Sequence, residues 1–149
     1  MIRRTSILDL AIPFLLVLAV VRLALRGTYG SLAPLSYFVP IPLLALAIVE
    51  FALAKRVRDV INHEADAKVM TAIAIARCAA LGKASAIGAA AVGGAFAAML
   101  LRVLPIFSTV NAARHDATVS AFGLAASALL LAAGLLLERA AIIPNDPKS

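Results

Sequence analysis

The sequence predicts an all-α integral membrane protein, a four-helix bundle with both termini in the cytoplasm, and three observations carry that prediction. The chain is 63% hydrophobic and only 15% charged, with mean hydropathy +1.00, outside the usual makeup of soluble globular domains. Its apolar residues fall into four segments of about 19 to 25 residues, and about 20 residues of helix cross the hydrocarbon of a bilayer. The basic residues between the segments are lopsided. With the N-terminus inside, ten of them (Arg3, Arg4, Lys55, Arg56, Arg58, Lys68, Arg77, Lys83, Arg139, Lys148) lie on the cytoplasmic side and four (Arg22, Arg26, Arg102, Arg114) outside, the positive-inside pattern of a plasma-membrane, multi-pass protein. The net charge of +6 is accounted for by this orientation. Four spans leave little chain for a soluble catalytic or nucleic-acid-binding module. One cysteine, Cys78, excludes an internal disulfide, and His63 and His115 lie too far apart in sequence for a recognisable metal motif, so no cofactor is expected.

The first span is placed at residues 7–25. Arg3 and Arg4 ahead of an apolar run resemble a signal peptide, but there is no small-x-small cleavage site and the run continues into Arg22 and Arg26. Those two arginines are four apart, on one helix face, and reach toward the head groups. Gly27, Gly30 and Pro34 punctuate the loop, and Tyr29, Tyr37 and Phe38 are aromatics of an interfacial kind. The second span, residues 35–54, contains Pro40 and Pro42, so it either starts at Pro40 or opens as a kinked turn. Glu50 lies near its end among apolar neighbours, ahead of the basic run Lys55, Arg56 and Arg58.

Between Val69 and Leu104 no proline interrupts the chain, a helical length greater than a bilayer is thick. Counting back from Leu104 sets the inner boundary near Lys83. The third span is therefore residues 84–104, preceded by a juxtamembrane helix over residues 70–82 that lies on the cytoplasmic face or extends below it. Pro105 ends the span. Asp116 is the expected N-cap of the fourth span, residues 117–137. Glu138 and Arg139 close it, and Pro144 and Pro147 mark the tail.

Two groups of residues stand out. The third span carries small-residue ladders at spacing four, Ser85, Ala89, Gly93, Ala97 and Ala86, Ala90, Gly94, Ala98. In lipid there is no hydrophobic drive between helices, and small residues let backbones approach closely. This face packs the other spans, or receives a second copy or a partner helix. The second group is an intramembrane charge cluster of Glu50, Arg77, Lys83 and Glu138. Both carboxylates fall at the cytoplasmic level of Lys83, and opposite charges on neighbouring helices lower each other's cost in the membrane. Lys83 is expected to pair with Glu50 or Glu138, while Arg77, about 120° around the helix, meets another partner or a lipid phosphate. The alternative is that Arg77 and Lys83 only anchor the helix.

Other motifs fail or stay bland. Gly82-Lys83 is not a P-loop, because Arg77 stands where the first glycine belongs and Ala84 where Ser or Thr belongs. His63, Glu64 and Asp66 form a polar loop cluster, and Cys78 reads as a packing residue. His115 and Asp116 share no depth with a serine nucleophile. The chain therefore reads as a non-enzymatic structural or interaction component in the lipid bilayer that packs through its third span, as a homo-oligomer or with a membrane protein partner. The alternative is a carrier or permeation subunit for a small anionic metabolite, with Arg77 and Lys83 as its binding charges.

At Ala76, Arg77 and then Lys83, Ala84, Ser85, Ala86 the sequence resembles an uncharacterised actinobacterial membrane family, domain of unknown function 3180. Val49-Glu50 before basic residues, the Leu104-Pro105 exit, and Leu137-Glu138-Arg139 before a proline-containing tail extend the resemblance over most of the chain. Ala140 and Ala141 stand near the place where the family pattern holds a cysteine. The resemblance implies a four-helix membrane protein, often encoded beside folate-biosynthesis genes, and implies no activity.

Overall fold

The computed structural model describes residues 5–28, 35–62 and 70–142. Four helices make up the described chain: α1 (Ile7–Thr28), α2 (Ile41–Ile61), α3 (Ala72–Val103) and α4 (Asn111–Ala141), with a single 3-10 turn at Leu104–Ile106.

Local chemistry explains each helix start. Before α1 the Ser6 amide donates to the Asp9 carboxylate (2.9 Å) and the Asp9 amide to the Ser6 carbonyl (3.0 Å), which satisfies donors that a helix N-terminus leaves unpaired. α2 begins at Ile41 rather than at residue 35, because Pro40 occupies its N-cap and Pro42 its first turn, where a missing N–H costs nothing. Residues 37–40 form turns. α3 is capped by the Thr71 hydroxyl, which accepts from the Ala74 amide at 3.3 Å. It then runs unbroken for 32 residues, about 48 Å. The expected juxtamembrane helix and third span are thus parts of one continuous helix that begins at Ala72. α4 starts at Asn111, a turn and a half before the expected Asp116 cap, behind Val110, which supplies no side-chain cap.

Three helical segments are long and apolar enough to cross a membrane, Ile7–Gly27, Ala72–Ile106 and Asn111–Ala141. In α2 the apolar part stops at Ala54, so the helix alone covers about 21 Å of a hydrocarbon layer about 30 Å thick.

The helices are ordered α1, α3, α4, α2, and among the described residues α1 and α2 do not touch. The α3–α4 pair is the spine. At its crossing, a β-carbon built on Gly82 would lie 2.5 Å from the Gly134 carbonyl oxygen and 2.8 Å from the Glu138 nitrogen. One on Gly134 would lie 2.6 Å from the Gly82 oxygen and 2.9 Å from the Ala86 nitrogen. Two backbones therefore meet with no side chain between them. α1 packs on the other side of α3, where a β-carbon on Gly94 would strike the Phe14 carbonyl. Apolar clusters then fill three levels: Leu25, Met99, Val103, Ala113 and Ala117; Ala47, Ala89, Leu130 and Ala133; and Ala54, Val57, Ala79, Leu137 and Ala141. The outer face of α1 (Ile7, Leu8, Ile12, Leu15, Leu16, Val20, Leu23) is exposed, as expected where the surrounding solvent is lipid.

These contacts set a stability order. Gly82→Ala and Gly134→Ala push a methyl into backbone that cannot yield, and each is expected to cost about 1–3 kcal/mol. A β-carbon on Gly88 of the same helix meets nothing within 4 Å, so Gly88→Ala is expected to be neutral or to stabilise by up to about 1 kcal/mol. Thermal or SDS unfolding of the three variants in detergent checks the order.

Candidate functional site

The inward stripe of α2 is Ala47, Glu50, Ala54 and Val57, at the three- and four-residue spacing that keeps one helix face turned the same way. Glu50 takes a place in that stripe that a leucine would fill in an ordinary core, and it is fully buried at 0% exposure. Ala47 below it belongs to one apolar cluster and Ala54 above it to the next. Ser85 of α3 is the hydroxyl that faces the carboxyl, at a geometry that leaves both carboxyl oxygens without a hydrogen-bond partner. A buried polar group in that condition costs about 1–3 kcal/mol. In a membrane, such a residue is where function is first sought.

Glu138 is equally deep, at 2% exposure, but satisfied. The Thr5 amide donates to its Oε1 at 2.7 Å, and the Thr5 hydroxyl donates to the other oxygen. The last turns of α4 thereby hold the entry to α1, across a separation of 133 residues. No sequence pattern marks this pairing.

The structure brings Lys83 to the level of Glu138, since its neighbour Gly82 abuts the Glu138 backbone nitrogen. The Glu138 carboxylate is hydrogen-bonded to Thr5, neither Glu50 oxygen has a hydrogen-bond partner, and Lys83 is half-buried with a partner of its own. Arg77 is exposed. The two carboxyls thus sit in different environments, Glu138 on Thr5 and Glu50 in the inward stripe of α2.

The small-residue ladders are spent inside the chain. Ala86, Ala90, Gly94, Ala98, Ala89 and Gly93 are buried, with Ser85 and Ala97 half-buried. Gly94 faces α1, and Gly93 faces Ser127 and Leu124 of α4 and Phe14 of α1. The glycines that matter most for the spine, Gly82 and Gly134, fall outside those ladders. Their signal was present in α4, whose buried stripe Ser120, Gly123, Ser127, Gly134 is as rich in small residues as that of α3.

At the opposite end, His115 and Asp116 lie within α4 and grip one residue. The Leu35 amide donates to Asp116 Oδ1 at 3.0 Å, and His115 Nε2 is 2.7 Å from the Leu35 carbonyl. Tyr37 meets the His115 ring edge-on, with centroids 4.5 Å apart. Asp116 is therefore a buried clamp on the chain entering α2, in place of the expected helix cap. Cys78 is half-buried against the cluster around Leu137. The His63, Glu64 and Asp66 cluster lies outside the described residues, and among the described residues no three His, Cys, Asp or Glu side chains gather as a metal site.

The two glutamates are expected to respond with opposite signs. Glu50→Met removes an unsatisfied group at similar volume and should stabilise the fold by about 1–3 kcal/mol. Glu138→Ala strands the Thr5 donors and should destabilise it by about the same amount. Unfolding of both variants in the same detergent provides the check.

No curated protein and no solved structure matches the chain. A family model described as a protein of unknown function, DUF3180, matches residues 10–145. That stretch takes in Glu50 and Glu138, the Gly82–Gly134 crossing and the Leu35 clamp. The chain belongs to the DUF3180 family of proteins of unknown function.

Proposed function

We propose that this protein is a small, non-enzymatic, multi-pass component of the plasma membrane that associates through its third helix, with a second copy or with another membrane protein. In this reading α2 completes a fourth span together with the turns that precede it, and both termini are cytoplasmic. The observation that carries the proposal is a third row of small residues on α3, Ala80, Ala84 and Gly88, which faces outward. The flanking helices α1 and α2 do not touch each other among the described residues. A β-carbon on Gly88 meets nothing, and the exposed Leu81 and Val92 border the row with apolar side chains. The other two rows are already used by α1 and α4, so they are unavailable to a partner. This outward row offers the close backbone approach that association in lipid requires.

Transport of a small anion by Lys83 and Arg77 draws less support. Lys83 adjoins the backbone-to-backbone contact of Gly82 and Gly134, and Glu50 lies in the same part of the bundle, a carboxyl that would oppose an entering anion.

Gly88→Leu tests the proposal without disturbing the spine. In mild detergent the native chain is expected to migrate as an oligomer or to retain a co-purifying membrane protein, and Gly88→Leu to abolish that association while its unfolding midpoint is unchanged. Identical size and identical co-purifying proteins for the two would refute it.

A further inference from the structure

Ala47 of α2 packs in one layer with Leu130 and Ala133 of α4, and Ala54 and Val57 pack in the next with Leu137 and Ala141. The two helices therefore run in the same direction and in step, and their C-terminal turns finish together at the end of the bundle where Glu138 holds Thr5. Between those turns lies a cavity of about 470 Å³. Three basic side chains line it, Lys55 and Arg58 from α2 and Arg139 from α4. Phe51 and Leu136, both exposed, line it about one turn before the first cation of their own helix.

The order along both helices is the same, apolar first and cationic after. Because the apolar part of α2 stops at Ala54, the change from one to the other falls where the bundle leaves the hydrocarbon. In a membrane the cavity thus has its apolar lining at acyl-chain depth and its cationic lining at head-group level. Anchoring a helix end does not require this. A cation that only marks the boundary can project anywhere around its helix, as Arg56 does, exposed and outside the cavity lining. Arg58 and Arg139 stand in last turns, where the helix dipole favours a cation, but Lys55 stands more than a turn before the end of α2.

Three like charges around one space repel one another. The acidic residues beside them in sequence do not line the cavity: Glu138 accepts from Thr5, and Asp59 is not among the lining residues. A soluble anion would use the cationic half of the cavity and leave Phe51 and Leu136 without a partner, and a zwitterionic lipid would bring a cation of its own. A lipid with a net negative head group matches both halves.

We propose that this cavity holds one anionic phospholipid, with its phosphate among Lys55, Arg58 and Arg139 and an acyl chain against Phe51 and Leu136. The site is independent of association through α3, which contributes no residue to the lining.

The test is native mass spectrometry of the full-length chain in mild detergent, titrated with phosphatidylglycerol or phosphatidylcholine. Phosphatidylglycerol is expected to be retained, one molecule per chain, and phosphatidylcholine to be lost. Binding should weaken about five-fold in Arg58→Gln and in Arg139→Gln, and about twenty-five-fold in the double variant. Arg56→Gln removes the same charge from the same helix outside the cavity and should leave the affinity unchanged. These three arginines are exposed, so each variant is expected to unfold at the native midpoint without lipid. Lys55→Gln, also at an exposed position, should show the same five-fold loss and keeps the test open if an arginine variant fails to fold. Glycerophosphoglycerol, the same head group without acyl chains, is expected not to compete. An equal loss in Arg56→Gln and Arg58→Gln would reveal diffuse surface charge in place of a site, competition by glycerophosphoglycerol would identify a soluble anion as the ligand, and equal retention of the two lipids would show that charge is not selected. Any of these results would overturn the proposal.

Discussion

The bundle depends on one contact, the backbone-to-backbone approach of α3 and α4 at Gly82 and Gly134. In water, apolar side chains would drive such helices together. In hydrocarbon that drive is absent, and cohesion must come from dispersion between closely opposed surfaces. Two glycines facing each other remove the side chains that would otherwise set the helices apart, so the apolar layers above and below can close. Ala79 and Leu137 meet in one layer, Ala89, Leu130 and Ala133 in another. α1 and α2 then add to this spine from its two members, each without help from the other.

This arrangement explains which features were readable in the chain. Four helices and their membrane character follow from hydropathy and segment length, which act locally. The small-residue ladders of α3 announced close packing, but periodicity fixes only that such a face exists and not which neighbour takes it. Gly93 and Gly94 turned out to face different helices. The partners of the two glutamates were hidden for a related reason. Matching Lys83 with Glu50 and Glu138 used depth alone, whereas a hydrogen bond also needs a shared azimuth. Glu138 turns toward Thr5, and Glu50 turns into the space between α2, α3 and α4. Helix ends were misplaced where capping logic met a tertiary contact: Asp116 has the chemistry of a cap, and the structure uses that chemistry on the Leu35 amide instead.

The two ends of the molecule use polar groups differently. Near Thr5, Glu138 closes the bundle by holding the segment that leads into α1. At the far end, Asp116 and His115 hold the segment that leads into α2. Each clamp fixes a flanking helix that the spine alone contacts along only one side. In both cases a carboxylate near one end of α4 accepts a backbone N–H from a preceding segment, so α4 organises the entry of both flanking helices.

Glu50 does not fit that pattern. It holds no backbone, closes no loop and receives no hydrogen bond, yet it occupies the inward stripe of α2 between two apolar layers. If burial were its only purpose, a methionine would fill the space without the cost of an unsatisfied carboxyl. Structure alone therefore gives no reason for an acid at this position, while the surrounding architecture supplies what an acid in use would need. Ser85 faces it from α3, while α2 packs mainly on α4 and touches α3 only slightly. The backbone-to-backbone contact of Gly82 and Gly134 is between α3 and α4, whereas Glu50, which with Ser120 Oγ is a buried polar group without a hydrogen-bond partner among the described residues, is carried by α2.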